Sequence, residues 1–361
     1  MHDPSTRASY VETPQRTSGR LAMMGYERFM APLAALFYPF WLDGFHFCIE
    51  RLKIASAVSA AMLFPSALAL LALAVATPAI AGLAAARLAR AELKSTAQLR
   101  AARVAFLAVA AVPIYTFIGV LCYMASVSAL DKWIVSALWI VAIVLVAAPG
   151  DERLSSRALP ASSRPRLTHR VLGVAITIFV LAHVANHLFG LVGPSAYMGV
   201  MKALRHVYRF PFLEPALPLI FLSTAASGGF LAWRASARRM DGLRAFQLAS
   251  GIYLFFYIVS HLNAVFVLAR SYLKIDSDWD FATGAPMGLI QDPWSARLIP
   301  HYAWAVFFAL GHVFAAIRTN LLARGASRAW ADGMLFWGSA SGALITLLIL
   351  LGMCGLRLSL V

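Results

Sequence analysis

Residues 168–187 read THRVLGVAITIFVLAHVANH. From Val171 onward the stretch holds no Asp, Glu, Lys or Arg. Continued to residue 192, it is long enough to cross a bilayer, for which about 20 apolar residues suffice. It carries two histidines, His183 and His187, one helical turn apart on one face. Ionisable side chains inside a span are costly, and they as a rule face the bundle interior and serve a function. Neighbouring helices are therefore expected to give these rings partners.

Of the 361 residues, 61% are hydrophobic and 13% charged, and mean hydropathy is +0.73. Soluble domains are nearer half apolar and a quarter charged, so the composition indicates an all-α integral membrane protein. Continuous rather than alternating apolar runs exclude a β-barrel. The net charge of +15 does not point to nucleic acid, because Lys and Arg cluster in loops, where they orient helices. The partner implied is the lipid bilayer. Three cysteines (Cys48, Cys122, Cys354) form no Cys-x-x-Cys, which excludes a thioredoxin-like site and a c-type haem attachment. The N-terminus lacks the layout of a signal peptide and reads as a short disordered tail.

Residues 1–53 are expected to hold this tail and an interfacial or re-entrant segment. Residues 30–49 are apolar and aromatic, yet include Pro32, Pro39, Asp43 and His46. A three-helix membrane region is expected over 54–149, with spans at 54–86, 104–130 and 133–149 and a tight polar turn at Asp131 and Lys132. None of these spans carries a histidine, and no pair of buried ionisable groups is evident. A polar cytoplasmic linker over 150–167 marks the clearest boundary. Residues 168–361 then form a five-helix bundle, with spans A to E at 168–192, 215–233, 246–268, 299–317 and 333–356, which makes about eight spans in all and leaves eight or nine open.

Arginines before A (Arg153, Arg157, Arg164, Arg166, Arg170), between B and C (Arg234, Arg238, Arg239, Arg244) and near the D–E loop (Arg318, Arg324, Arg328) put these loops in the cytoplasm. The C–D loop, with Asp276, Asp278, Asp280 and Asp292, then lies outside. The basic loop from Arg87 to Arg103 falls inside on the same alternation.

His183 lies fifteen residues after the start of A at 168, and His261 fifteen after the start of C at 246. Both helices enter from the cytoplasm, so both rings sit at similar depth in the outer half of the membrane. His187 is one turn further out, and His312 is near the middle of D. Two histidines at one depth on separate helices suit bis-imidazole ligation of haem. Ser250 and Gly251 in C, with Ser227, Gly228 and Gly229 in B, are small enough to admit a macrocycle. Each histidine has a plainer alternative, a hydrogen bond to a neighbouring helix. His187, beside Asn186, suits a structural or rim role. His169, His206 and His301 fall at helix ends or in loops and are expected to be solvated or interfacial, as are His2 and His46. Zinc is the second candidate ligand, but no Cys, Asp or Glu at matching depth completes a tetrahedral site.

Over about residues 167–361 the sequence resembles the five-helix, haem-b membrane subunit of succinate dehydrogenase and fumarate reductase. The resemblance lies in HRVLGVAITIFVLAHVANH of A, in AYMGVMKALRHVYRFPFLEPALPLIFL with Glu214 opening B, and in FFALGHVFAAIRTNL of D. Its most specific piece is QLASGIYLFFYIVSHL of C, similar to the family's Gln-Arg-x-[Ser/Thr]-Gly…His pattern. The resemblance implies a cytochrome b that holds haem b and exchanges electrons with quinone. It also implies a non-catalytic electron-transfer subunit in the cell inner (plasma) membrane, partnered by iron–sulfur and flavoprotein subunits. In two-haem members the first and third helices share one haem, which implies His183 and His261. The second and fourth share the other, which implies His312 and a histidine in B. B has none: Thr224 or Ser223 stands near that position, and Leu248 replaces the pattern's arginine, with Arg244 nearby. One haem is therefore expected, with His183, His261, His312, Ser250 and Gly251 as cofactor-binding residues. His183 and His261 are the metal ligands, ahead of His187 and His312. The first 149 residues have no counterpart in the family core. The alternatives are a membrane anchor, a sensory or assembly module of the same fold with no respiratory role, or a transporter, although no broken-helix pair recurs in two halves.

Overall fold

A computed structural model describes residues 15–92, 95–150 and 163–358. His2, Lys94, Arg153, Arg157 and most of the linker lie outside the described residues. The elements are α1 (Gln15–Leu52), α2 (Ala57–Arg90), α3 (Thr96–Ala108), α4 (Ala111–Met124), α5 (Asp131–Ala147), α6 (Ser163–Leu188), α7 (Pro194–Tyr208), α8 (Leu213–Ala235), α9 (Gly242–Leu262), α10 (Trp279–Thr283), α11 (Gly288–Gln291), α12 (Leu298–Ala323) and α13 (Arg328–Met353). Seven helices, namely α2, α5, α6, α8, α9, α12 and α13, are long and apolar enough to cross a membrane, and the bent pair α3–α4 makes an eighth span. The chain is an all-α, multi-pass integral membrane protein. Spans A to E are α6, α8, α9, α12 and α13, within a few residues of their expected bounds. α9 continues into a π-helix, Asn263–Leu273.

Three expectations for the first half are corrected. The span expected at 104–130 is two helices bent by 65°. Pro113, early in α4, has no N–H to donate to the carbonyl four residues back, which weakens the helix ladder where α3 meets α4. The segment 30–49 is not re-entrant but part of one continuous helix. Glu27 meets Arg87 at 3.8 Å near one end of α2, and Asp43 meets Lys132 at 2.5 Å at the start of α5. Those sixteen residues rise roughly 24 Å, and Gly44 packs against Leu70 of α2, so α1 runs antiparallel to α2. Asp131, expected in a polar turn, opens α5 and is buried against Arg297 at 2.7 Å.

That ion pair is well housed. Arg297 also donates to the carbonyl of Trp294 at 3.1 Å, and its guanidinium lies 4.4 Å from the Tyr115 ring centroid. Gly119 leaves the space: a Cβ there would collide with the guanidinium. The contact joins the two halves of the chain, which share one core containing Tyr38, Tyr115, Trp139, Tyr253 and Phe308. The linker is thus a boundary in sequence and not in packing. Trp304 of α12 adds a bond to the carbonyl of Val75 in α2 at 2.7 Å.

Interhelix contacts agree with the alternation of charged loops. Met240 N–H donates to the Ala89 carbonyl at 2.9 Å, and Arg103 donates to Ser236 at 3.2 Å. The α2–α3 and α8–α9 connections therefore share one end of the bundle, the basic face. Asp131 and Arg297 mark the opposite end.

Removing one partner of a buried pair strands a charge, at a cost of about 3–5 kcal/mol. Asp131→Ala and Arg297→Ala are each expected to lower the melting temperature of the detergent-solubilised protein sharply. The double variant is expected to fall well short of the sum, as interacting partners do.

Candidate functional site

Helices α6, α8, α9 and α12 pack in a ring around a largely apolar cavity of about 1650 Å³. Ordinary small-molecule pockets hold about 300–1,000 Å³. Arg166, Arg170, Arg238, Arg239 and Arg244 line it at the basic face, and Tyr197 of α7 lines it toward the other end. His183, His187, His261, His312 and Gly251 all line it. Ser250, fully buried, stands behind His312.

The histidines form two groups. In the group away from the basic face, the His183 and His261 ring centroids are 6.1 Å apart. Neither ring takes a hydrogen bond among the described residues. Each is held by an aromatic ring one turn earlier on its own helix, where residues i and i+4 meet. Phe179 stacks on His183 at 5.6 Å and 14°, and Tyr257 stacks on His261 at 5.5 Å and 12°. His187 lies edge-on to His183 at 4.8 Å and beside Tyr197 at 5.3 Å. Among the described residues, His187 Nδ1, His301 Nδ1 and Asn186 Oδ1 of the cavity wall are buried without a partner.

His301 corrects an expectation. It is not interfacial but 3% exposed, 4.7 Å from Tyr257, because α12 begins behind a loop folded over the bundle end. Tyr253, fully buried, donates to its backbone carbonyl at 2.9 Å.

The second group lies toward the basic face and corrects another expectation. His169 is not solvated. It lies inside α6, half-buried, with its ring 6.5 Å from that of His312. Its Nδ1 meets Ser227 Oγ at 3.1 Å, and His312 Nδ1 meets Ser250 Oγ at 3.0 Å. Gly228 and Gly251 follow these serines. A Cβ at Gly228 would stand 2.9 Å from His169 Cε1, and one at Gly251 would stand 3.1 Å from His312 Cε1. His206 and His46, by contrast, lie away from the cavity, His206 exposed as expected.

The fit to haem can be tested on distance. Metal–imidazole bonds of about 2.0–2.1 Å put two rings on opposite sides of one metal with centroids roughly 6 Å apart. The 6.1 Å of His183 and His261 meets this. Among the described residues no three His, Cys, Asp or Glu side chains group to hold a bare metal ion, whereas haem asks the protein for only two ligands. Sequence reasoning missed His169 because it sits beside the expected helix start. The available signal was its fourteen-residue offset from His183, nearly four turns, which returns both rings to one face.

Compared with family models, curated proteins and solved structures, the chain matches none.

Tyr253 tests how this wall is built. Tyr253→Phe removes one hydrogen bond and is expected to cost about 1 kcal/mol. Tyr253→Ala opens a cavity and is expected to cost about 3–5 kcal/mol. Thermal melting in detergent reads both.

Proposed function

We propose that this chain is a membrane b-type cytochrome subunit that carries electrons to or from quinone. His183 and His261 would be the axial ligands of haem b. The observation that carries the reading is their 6.1 Å separation, with both rings lining one apolar cavity. When bound, haem supplies a one-electron carrier whose potential its surroundings set. The chain's own residues bind and orient. Phe179 and Tyr257 hold the two rings in place. The apolar lining keeps water from the site, and the arginines at the basic face offer charge-assisted partners for carboxylates. No residue of the chain is assigned a catalytic role.

In this reading the basic face lies in the cytoplasm, as arginine-rich loops favour, and the membrane is the inner (plasma) membrane. Iron–sulfur and flavoprotein subunits of the succinate dehydrogenase or fumarate reductase kind would dock there. Quinone partitions into the same apolar phase that the exposed sides of α6 and α8 face, with Val171, Leu181, Leu219 and Leu222 outward.

Purified with haem supplied during expression, the protein is expected to show a haem-b α band in its reduced-minus-oxidised spectrum. His183→Ala and His261→Ala are each expected to lose the same one equivalent of haem per polypeptide. Full retention by both overturns the ligand assignment. A colourless wild-type protein overturns the cytochrome reading and favours an anchor or assembly module.

A further inference from the structure

We propose that His169 and His312 are the axial ligands of a second haem, held between α6 and α12 near the basic face. The inference rests on reading the cavity as a haem site, and it goes beyond the single haem that B, lacking a histidine, leads one to expect.

Separation is the first support. The rings stand 6.5 Å apart, close to the roughly 6 Å that two imidazoles on one metal require and to the 6.1 Å of His183 and His261.

The second support is the tautomer. Ser227 Oγ donates its one proton to the Thr224 carbonyl at 3.0 Å, and Ser250 Oγ donates to the Gln247 carbonyl at 3.1 Å. With that proton on the carbonyl, each hydroxyl is left to accept from the histidine beside it. In this arrangement both histidines carry the proton on Nδ1 and leave Nε2 with a free lone pair. This is how a metal-binding histidine is set up: one nitrogen donates to an oriented acceptor, which fixes the ring and makes the other a better ligand.

The same device is built twice. Of the three Ala-Ser-Gly runs, at 226–228 in α8, 249–251 in α9 and 340–342 in α13, the first two meet a histidine. In each of these two the serine holds Nδ1, and the glycine clears the ring's Cε1, where a Cβ would press at 2.9 or 3.1 Å. A stray interhelical hydrogen bond needs no such pair. α8 thus supplies the holder rather than the ligand, and the ligand comes from α6. Along α6, His169 precedes His183 by fourteen residues, about 21 Å on the same face, so one helix contributes a ring at each of two levels. Arg166, Arg170 and Arg244 line the cavity at the lower level, where a ligand bearing carboxylates would find counter-charges.

The test is haem and iron per polypeptide on the full-length protein, purified with haem supplied. Wild type is expected to carry two equivalents. His169→Ala and His312→Ala should each leave one, still lost on adding His183→Ala. Ser227→Ala and Ser250→Ala should keep the fold and release one of the two haems about 10–100-fold more readily to an apo-globin scavenger, the usual size of losing such a supporting hydrogen bond. If the wild type holds one haem, lost in His183→Ala and untouched in His169→Ala and His312→Ala, the second site is wrong and the proposed function stands. A wild type that takes up no haem overturns both. Should the histidine variants fail to accumulate, unchanged haem release in both serine variants overturns the inference.

Discussion

An imidazole inside a bilayer must have its N–H satisfied and its lone pair placed, because no water is at hand to do either. The bundle meets this requirement at one level and leaves it open at the other. At the level nearer the basic face, two serines whose own protons are committed to helix carbonyls accept from His169 and His312. At the other level no side chain takes the protons of His183 and His261. They are confined instead by aromatic rings one turn away. The two levels thus use different means to the same end, two rings held roughly 6 Å apart across an apolar space.

Keeping that space open requires a wall that does not collapse, and the first half of the chain supplies it. α2, α3 and α4 pack against α9, and α2 and α4 against α12, burying Tyr253 and Phe308 in a core shared with Tyr38 and Trp139. The Asp131–Arg297 pair clamps the two halves at the end opposite the basic face. Burying two charges is costly unless geometry is good, and here Gly119, Tyr115 and Trp294 shape the pocket for the guanidinium. The N-terminal helices are therefore structural partners of the five-helix bundle. α6 and α8, left on the other side, face lipid with branched and aromatic side chains.

Membrane class, the five spans of the second half and the likeness in depth of His183 and His261 were legible in the residues themselves. Long uncharged runs have few fates other than a bilayer, and depth along a helix follows from counting. Partner choice was not legible in this way. His169 sits where a span begins, and only the tilt and crossing of α6 against α12 bring it to His312. His301 and Asp131 likewise sit at helix starts, positions that read as wet until a neighbouring segment covers them. Pro113 announced a break in the chain, but not the 65° bend between α3 and α4.

By itself, then, the sequence determined that the chain crosses the membrane many times and carries histidines at defined depths, because hydrophobic length and helical rise are local properties. Which histidine faces which, which serine holds it and which arginine meets Asp131 across 166 residues were decided only by the tertiary structure. Those pairings depend on how helices distant in sequence cross one another, and no spacing within one helix encodes that.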